Sequence, residues 1–185
     1  MARKPQNVDL NQLLYNFKAH DLVVLCFQEQ AKNKRIQFQD KLENYMTVNG
    51  YKQMNSIYMW EMWMIAYIKS KKIHLIKGNI NKRQRACGIA NMVGNKGGIQ
   101  MYFNLNDRYY NFIACHLIHG QDNRIKRDEM MEELIRNFKI EREEMDPDIV
   151  CDYNFIMGDL NYRFDTTFEE MIESDKIKIA NELVD

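Results

Sequence analysis

Asn154 to Asp165 reads N-F-I-M-G-D-L-N-Y-R-F-D. The short apolar run Phe155-Ile156-Met157 predicts a buried strand. Gly158 then lets the backbone turn tightly or approach a ligand. Asp159, Asn161 and Arg163 follow, separated by apolar Leu160 and Tyr162. In an extended chain this alternation puts all three polar side chains on one side. A carboxylate, an amide and a guanidinium converging at a strand end can orient or deprotonate water, hydrogen-bond an oxyanion and neutralise a phosphate. The same letters also fit a strand that ends in a polar turn.

Three stretches upstream bear on that choice. Asp21 to Phe27, D-L-V-V-L-C-F, is an apolar run that predicts a buried strand. Gln28 and Glu29 come directly after it. A carboxylate there can hold a hard cation through oxygen, or open a solvated loop. Gly88 to Gly98, G-I-A-N-M-V-G-N-K-G-G, packs four glycines into one loop. Lys96 inside it can meet a phosphate as a point charge. Gly97 follows Lys96, so the ending of a nucleotide-binding P-loop is absent. His116 ends a further apolar run and is followed by Leu117. A histidine there is either a satisfied core or turn residue or a ligand contact.

Taken in order, C-F-Q-E at Cys26–Glu29, G-N-K-G-G at Gly94–Gly98, C-H-L at Cys115–Leu117 and G-D-L-N-Y-R at Gly158–Arg163 resemble the inositol polyphosphate 5-phosphatases. These belong to the endonuclease/exonuclease/phosphatase (DNase I-like) superfamily. The resemblance runs from about Val8 to Ile172. G-D-x-N marks the superfamily, whereas G-N-K-G-G together with Tyr162-Arg163 points to the 5-phosphatase branch. The fold class it implies is α/β (α+β): a four-layer α/β/β/α sandwich of the DNase I-like type, present in part.

Composition adds bounds. A chain of 185 residues is one domain by default, and 45% hydrophobic residues suffice for a core. Lys plus Arg equals Asp plus Glu, 26 against 26, so phosphate recognition has to be local. Cys26, Cys87, Cys115 and Cys151 are widely spaced, which favours buried thiols over disulfides or zinc. No apolar run is long enough to span a bilayer. The basic start, Met1 to Gln6, lacks the apolar core of a signal peptide. The expectation is a soluble cytoplasmic protein, with peripheral membrane contact as an option and oligomeric state left open.

Periodicity supplies the remaining elements. Val8 to Lys18 predicts a helix capped by Asn7 or Asp9. Ile36, Phe38, Leu42, Tyr45 and Met46 predict a second. Ser56–Trp60 and Met62–Ile68 read as core strands around Trp60-Glu61, and Ile73–Ile80 as another. Asn81 to Arg85, N-K-R-Q-R, reads as a solvated basic loop or a rim that attracts an anionic headgroup. Ile99–Leu105 and Tyr109–Cys115 predict paired strands turning at Asn106-Asp107-Arg108. Gln121 to Lys139 predicts a helix with Met131, Leu134, Ile135 and Phe138 on one face and Arg127 elsewhere. Asp146-Pro147 follows its end. Thr167 to Glu170 fits a capping box for a helix to about Ser174.

The resemblance implies magnesium-assisted hydrolysis of the 5-phosphate of a phosphoinositide or a soluble inositol phosphate. It makes Glu29 the Mg²⁺ ligand, Asp159 the residue that orients or deprotonates water, and His116 and Asn161 hydrogen-bond partners of the phosphoryl oxygens. Asn95 and Lys96 become structural or substrate contacts, and Arg163 a support of the site or a substrate contact. No role carries over to His74 or His119. The family's Trp-Asn first strand, Trp-Cys-Asp-Arg segment and closing Ser-Asp-His do not occur in this sequence. The expectation is therefore the central part of one catalytic domain, with exposed sheet edges, poor solubility and no turnover by residues 1–185 alone. Two rivals stand beside it. One is a superfamily nuclease, which needs a basic groove that the neutral balance does not suggest. The other is a non-catalytic phosphoinositide-binding protein.

Overall fold

Two antiparallel hairpins of strongly apolar strands dictate the centre of the molecule. The structure is a computed structural model and describes residues 8–87, 96–139 and 151–163. The first sheet joins β1 (Leu22–Phe27), β2 (Tyr51–Met59) and β3 (Met62–Lys69) in the order β1-β3-β2. The second joins β4 (Ile76–Ala86), β5 (Gly97–Leu105), β6 (Arg108–His116) and β7 (Tyr153–Asp159) in that order. All pairs are antiparallel except β6 with β7.

The sheets pack face to face. Ile57, Met59, Met62, Met64 and Ala66 from one meet Ile99, Met101, Phe103, Phe112 and Ala114 from the other. Alternate residues of β3 (Trp63, Ile65 and Tyr67) face the opposite way, onto α1 (Leu10–Leu13) and α2 (Lys32–Val48). On the far side, Ile113 and Cys115 meet Met130 and Leu134 of α3 (Arg124–Asn137). The layers run helix, sheet, sheet, helix, the four-layer α/β/β/α sandwich expected from the sequence.

Several boundaries differ from the sequence reading, each for a local reason. The Val8–Lys18 helix is cut to α1 and a 3-10 turn at Phe17–Ala19, because Asn16 adopts a left-handed φ of 59°. Asp9 caps α1 by accepting from the Asn11 amide at 2.9 Å. Ile73 to Leu75 lie in a 3-10 helix, and the strand begins at Ile76. It then runs straight through Asn81–Arg85, which is not a loop. Period-2 alternation sends those charges to opposite faces of the strand, where each finds a partner. Arg85 pairs with Glu133 of α3, and Arg83 donates to the Lys139 carbonyl at 2.8 Å. Lys82 turns the other way, to Asn55 Oδ1 and the Ser56 carbonyl.

On α3 the buried face is Arg127, Met130 and Leu134, continued by Phe138, while Ile135 is exposed. Ile36 of α2 is exposed as well. β7 is also not the buried strand its apolar run suggests. Among the described residues it is an edge strand, and Phe155 and Ile156 are 43% and 47% exposed. Its inner face is covered on one side only, where Phe155 stacks on Phe112 at 4.8 Å and Tyr153 on Tyr110 at 4.9 Å. The segment around Asp146-Pro147 and the helix expected from Thr167 lie outside the described residues.

Candidate functional site

The parallel pairing of β6 with β7 sets the site. Register runs from Tyr110↔Tyr153 to His116↔Asp159, so both strands end on a polar residue at the same level. Gly158 makes this possible. Its φ is 115°, and a Cβ there would lie 2.2 Å from the Cys115 carbonyl oxygen. The glycine allows close approach of two backbones rather than of a ligand.

His116 Nε2 stands 3.6 Å from Asp159 Oδ2. The imidazole is 1% exposed, whereas the Asp159 side chain is 46% exposed. The other oxygen, Oδ1, accepts the Asn161 amide at 3.2 Å, a local Asx turn that fixes the carboxylate. That turn needs Asn161 in the left-handed region, at φ 52°, which asparagine tolerates. The chain is thus not extended beyond Asp159, and the expected one-sided row of Asp159, Asn161 and Arg163 does not form. Asn161 instead donates Nδ2 to the Leu117 carbonyl at 3.0 Å, and among the described residues Arg163 reaches Asn161 Oδ1, at 3.4 Å. Both brace the loop behind Asp159.

Lys96 completes the cluster. β5 begins with Gly97 opposite His116, which brings the buried Lys96 ammonium onto His116 Nε2. Burial pulls the Lys96 pKa below the ordinary lysine value, and the negative charges of Asp159, Glu29 and Glu61 pull it back up. Lys96 therefore lies within electrostatic reach of three carboxylates, two of them on the other sheet. Asn95, its neighbour in the sequence reading, lies outside the described residues.

Glu29 and Glu61 share a corner. The Gln30 amide donates to the Glu61 carbonyl at 3.0 Å, tying the end of β1 to the β2–β3 turn. Glu29 and Trp60 both hold left-handed φ values, 57° and 51°. Such strained non-glycine residues are uncommon and cluster at functional sites. Sequence reasoning assigned Glu61 nothing; its only signal was a lone acid in an otherwise apolar hairpin.

Two of the thiols, those of Cys87 and Cys115, are poor candidates for chemistry. Burial, first of all, pushes Cys87 and Cys115 up to about 12, so both stay protonated. Among the described residues no group of three His, Cys, Asp or Glu side chains forms a metal cage. The donor set fits a hard, water-rich cation such as Mg²⁺, which binds through one or two carboxylates and keeps several waters. Glu29 would hold it, with Glu61 on the same corner.

These features agree with what the chain is similar to. A family model described as "Endonuclease/Exonuclease/phosphatase family 2" matches residues 1–184. The phosphatidylinositol 3,4,5-trisphosphate 5-phosphatase 2 of Homo sapiens is 25% identical over 159 residues, covering 83% of this chain and 12% of the relative. The phosphatidylinositol 3,4,5-trisphosphate 5-phosphatase 1 of Xenopus laevis is 26% identical over 174 residues, covering 89% of this chain and 17% of the relative. Among solved structures, the inositol polyphosphate 5-phosphatase domain of SPSynaptojanin, in complex with inositol (1,4)-bisphosphate and calcium ion, superposes with a TM-score of 0.70 at 25% identity. That match covers 96% of this chain and 52% of the SPSynaptojanin chain. A Cimex nitrophorin, 16% identical with a TM-score of 0.63, shares the fold. The chain therefore spans about half of the SPSynaptojanin domain and a smaller share of the curated relatives. It belongs to endonuclease/exonuclease/phosphatase family 2, and its fold is that of the inositol polyphosphate 5-phosphatase domain.

Proposed function

We propose that this chain carries the phosphate-holding part of a site that removes the 5-phosphate from a phosphoinositide or a soluble inositol polyphosphate with the help of Mg²⁺. The observation that carries the reading is the meeting of Lys96, His116 and Asp159 at the end of β5, β6 and β7. A buried ammonium and an imidazole offer charge and a hydrogen bond to phosphoryl oxygens. The half-exposed Asp159 carboxylate, pinned by its Asx turn, accepts a proton from water or orients it. When bound, the divalent ion would neutralise charge on the phosphoryl oxygens, and Glu29 is the residue that would hold it. Asn161 and Arg163 keep Asp159 in place and meet substrate only secondarily.

Fold alone does not decide the chemistry, because a nitrophorin shares it. The similarity to phosphatidylinositol 3,4,5-trisphosphate 5-phosphatases supports a phosphoinositide headgroup as the substrate class. A cytoplasmic protein that visits membranes peripherally is part of this proposal. A nuclease reading is weakened by β4, whose basic side chains Lys82, Arg83 and Arg85 are engaged within the molecule. A second reading keeps a specific observation of its own. The described residues form no three-ligand metal cluster, and the non-catalytic reading takes this part of the site to bind the headgroup without turning it over.

A chimera tests the hydrolytic reading. Residues 8–163 replace the matching segment of the SPSynaptojanin 5-phosphatase domain, and release of the 5-phosphate is followed with Mg²⁺ present. The expected result is turnover that drops by roughly a hundredfold or more in Asp159→Asn with little change in substrate affinity. A folded chimera that binds inositol phosphate and never releases the 5-phosphate would leave the non-catalytic reading.

A further inference from the structure

Arg127 is a charged side chain at 1% exposure for which the mechanism above has no use. Its Nη1 donates to the carbonyls of Gly120, at 2.7 Å, and Ile118, at 3.3 Å. Both lie in the loop that leaves His116. Its guanidinium also sits over the Tyr162 ring, 5.6 Å from the centroid. Tyr162 is three residues beyond Asp159, and its hydroxyl donates to Asp128 at 2.7 Å. Adjacent residues of α3 thus seat one tyrosine by its face and by its tip.

Stability alone does not account for a cation in this place. Among the described residues no carboxylate pairs with Arg127, and its Nε has no hydrogen-bond partner. Burying a charge under such terms is costly, and an apolar side chain of similar volume commonly serves a core at least as well. What only a guanidinium does here is grip two carbonyls of one loop and the ring of another at once. Those two loops already touch where the chemistry sits. The Leu117 amide donates to the Asp159 carbonyl at 2.9 Å, and Asn161 donates to the Leu117 carbonyl.

We propose that Arg127 is a positioning residue for the site, clamping the loop after His116 to the loop after Asp159 through Tyr162, and so holding the imidazole and the carboxylate at working separation. The proposal rests on reading the β6–β7 end as a phosphate site. It adds a residue that touches neither substrate nor metal.

Amide exchange by NMR on residues 1–185 tests it, with Arg127→Met, Arg127→Lys and Tyr162→Leu. The Leu117 amide reports the clamp directly, and the amides of Met101 and Ala114 report the central sheet. In Arg127→Met, exchange at Leu117 rises about tenfold or more while Met101 and Ala114 keep their protection. The His116 ring Cε1 proton shifts, and inorganic phosphate binds more weakly. Arg127→Lys restores part of each effect, because an ammonium replaces one carbonyl contact but not the fork. Tyr162 is 45% exposed and outside α3, so Tyr162→Leu decides the matter if Arg127→Met does not fold. It should raise Leu117 exchange in the same direction. Unchanged Leu117 exchange in both variants overturns the proposal, as does exchange that rises equally at Met101 and Ala114. If Leu117 and His116 respond as stated but the wild-type chain binds no phosphate, the clamp stands and the proposed function falls.

Discussion

His116 and Asp159 occupy the same level of two parallel strands, with Nε2 and Oδ2 3.6 Å apart. Their meeting is decided at the far end of those strands. There Asp152 accepts the Tyr109 amide at 2.7 Å and the Arg108 guanidinium at 3.0 Å. Midway, Asn111 donates to Asn154 Oδ1 at 2.9 Å. A slip of one residue would send Asp159 to the opposite face of the sheet.

The Asp152 clamp predicts an acid transition. The Tyr109 amide, and after it the Arg108 guanidinium, hold the Asp152 carboxyl below the usual carboxylate range. A depressed folded value means the stabilisation is fully present at neutral pH. It is lost as pH falls below the ordinary aspartate value and through the depressed one. Thermal unfolding followed over that range should show a steeper acid loss in wild type than in Asp152→Asn. Identical slopes would remove the clamp.

Lys96 predicts the opposite trend at alkaline pH. Burial lowers its pKa, so the unfolded chain binds that proton more tightly than the folded one. Stability therefore rises as pH climbs from the depressed value toward the ordinary lysine value. Urea unfolding of Lys96→Met should lack this rise and match or exceed wild type at neutral pH. A variant that is weaker at every pH would contradict the prediction.

Gly158→Ala should detach β7. The new methyl would meet the Cys115 carbonyl oxygen at 2.2 Å and its amide nitrogen at 2.9 Å, at a φ that alanine resists. We expect a cost of about 3 kcal/mol or more, read from denaturant midpoints. Exchange protection at Leu117 should go first.

Glu29→Gln should leave the fold intact and weaken the dependence of headgroup affinity on Mg²⁺. A neutral amide is a poorer ligand for a hard cation than a carboxylate. Calorimetric titrations with and without Mg²⁺ would differ less in the variant than in wild type. Equal metal dependence in both would move the cation elsewhere.

Much of the fold was legible because β1, β5 and β6 are apolar runs with turn residues between them. Asn106 and Asp107 take the left-handed angles that the Asn-Asp-Arg turn calls for. Charge misled where it was engaged within the molecule. Arg83 and Arg85 read as loop until alternation is seen to send Arg85 onto α3 and Arg83 to the Lys139 carbonyl just beyond it. Arg127 read as lying off the apolar face of its helix, because a helix charge gives no sign of the carbonyls it will meet. β7 misled in the other direction, since its apolar letters say nothing of which neighbour covers them. At the site, Asp159 and His116 were legible as strand-terminal polar residues. The contact of Lys96 with His116 was not, since it depends on Gly97 lying opposite His116 in the register. The left-handed turn at Asn161 was equally hidden; it joins Asn161 to the Leu117 carbonyl and Arg163 to Asn161, in place of one extended row with Asp159.

The central claim is that Lys96, His116 and Asp159 together hold a phosphate. The most direct measurement is a phosphorus NMR titration of residues 1–185 with a soluble inositol polyphosphate carrying a 5-phosphate, in Mg²⁺. The account predicts a saturable shift of the 5-phosphate resonance that disappears in Lys96→Met and in His116→Ala. No shift, or a shift that survives both substitutions, would contradict it.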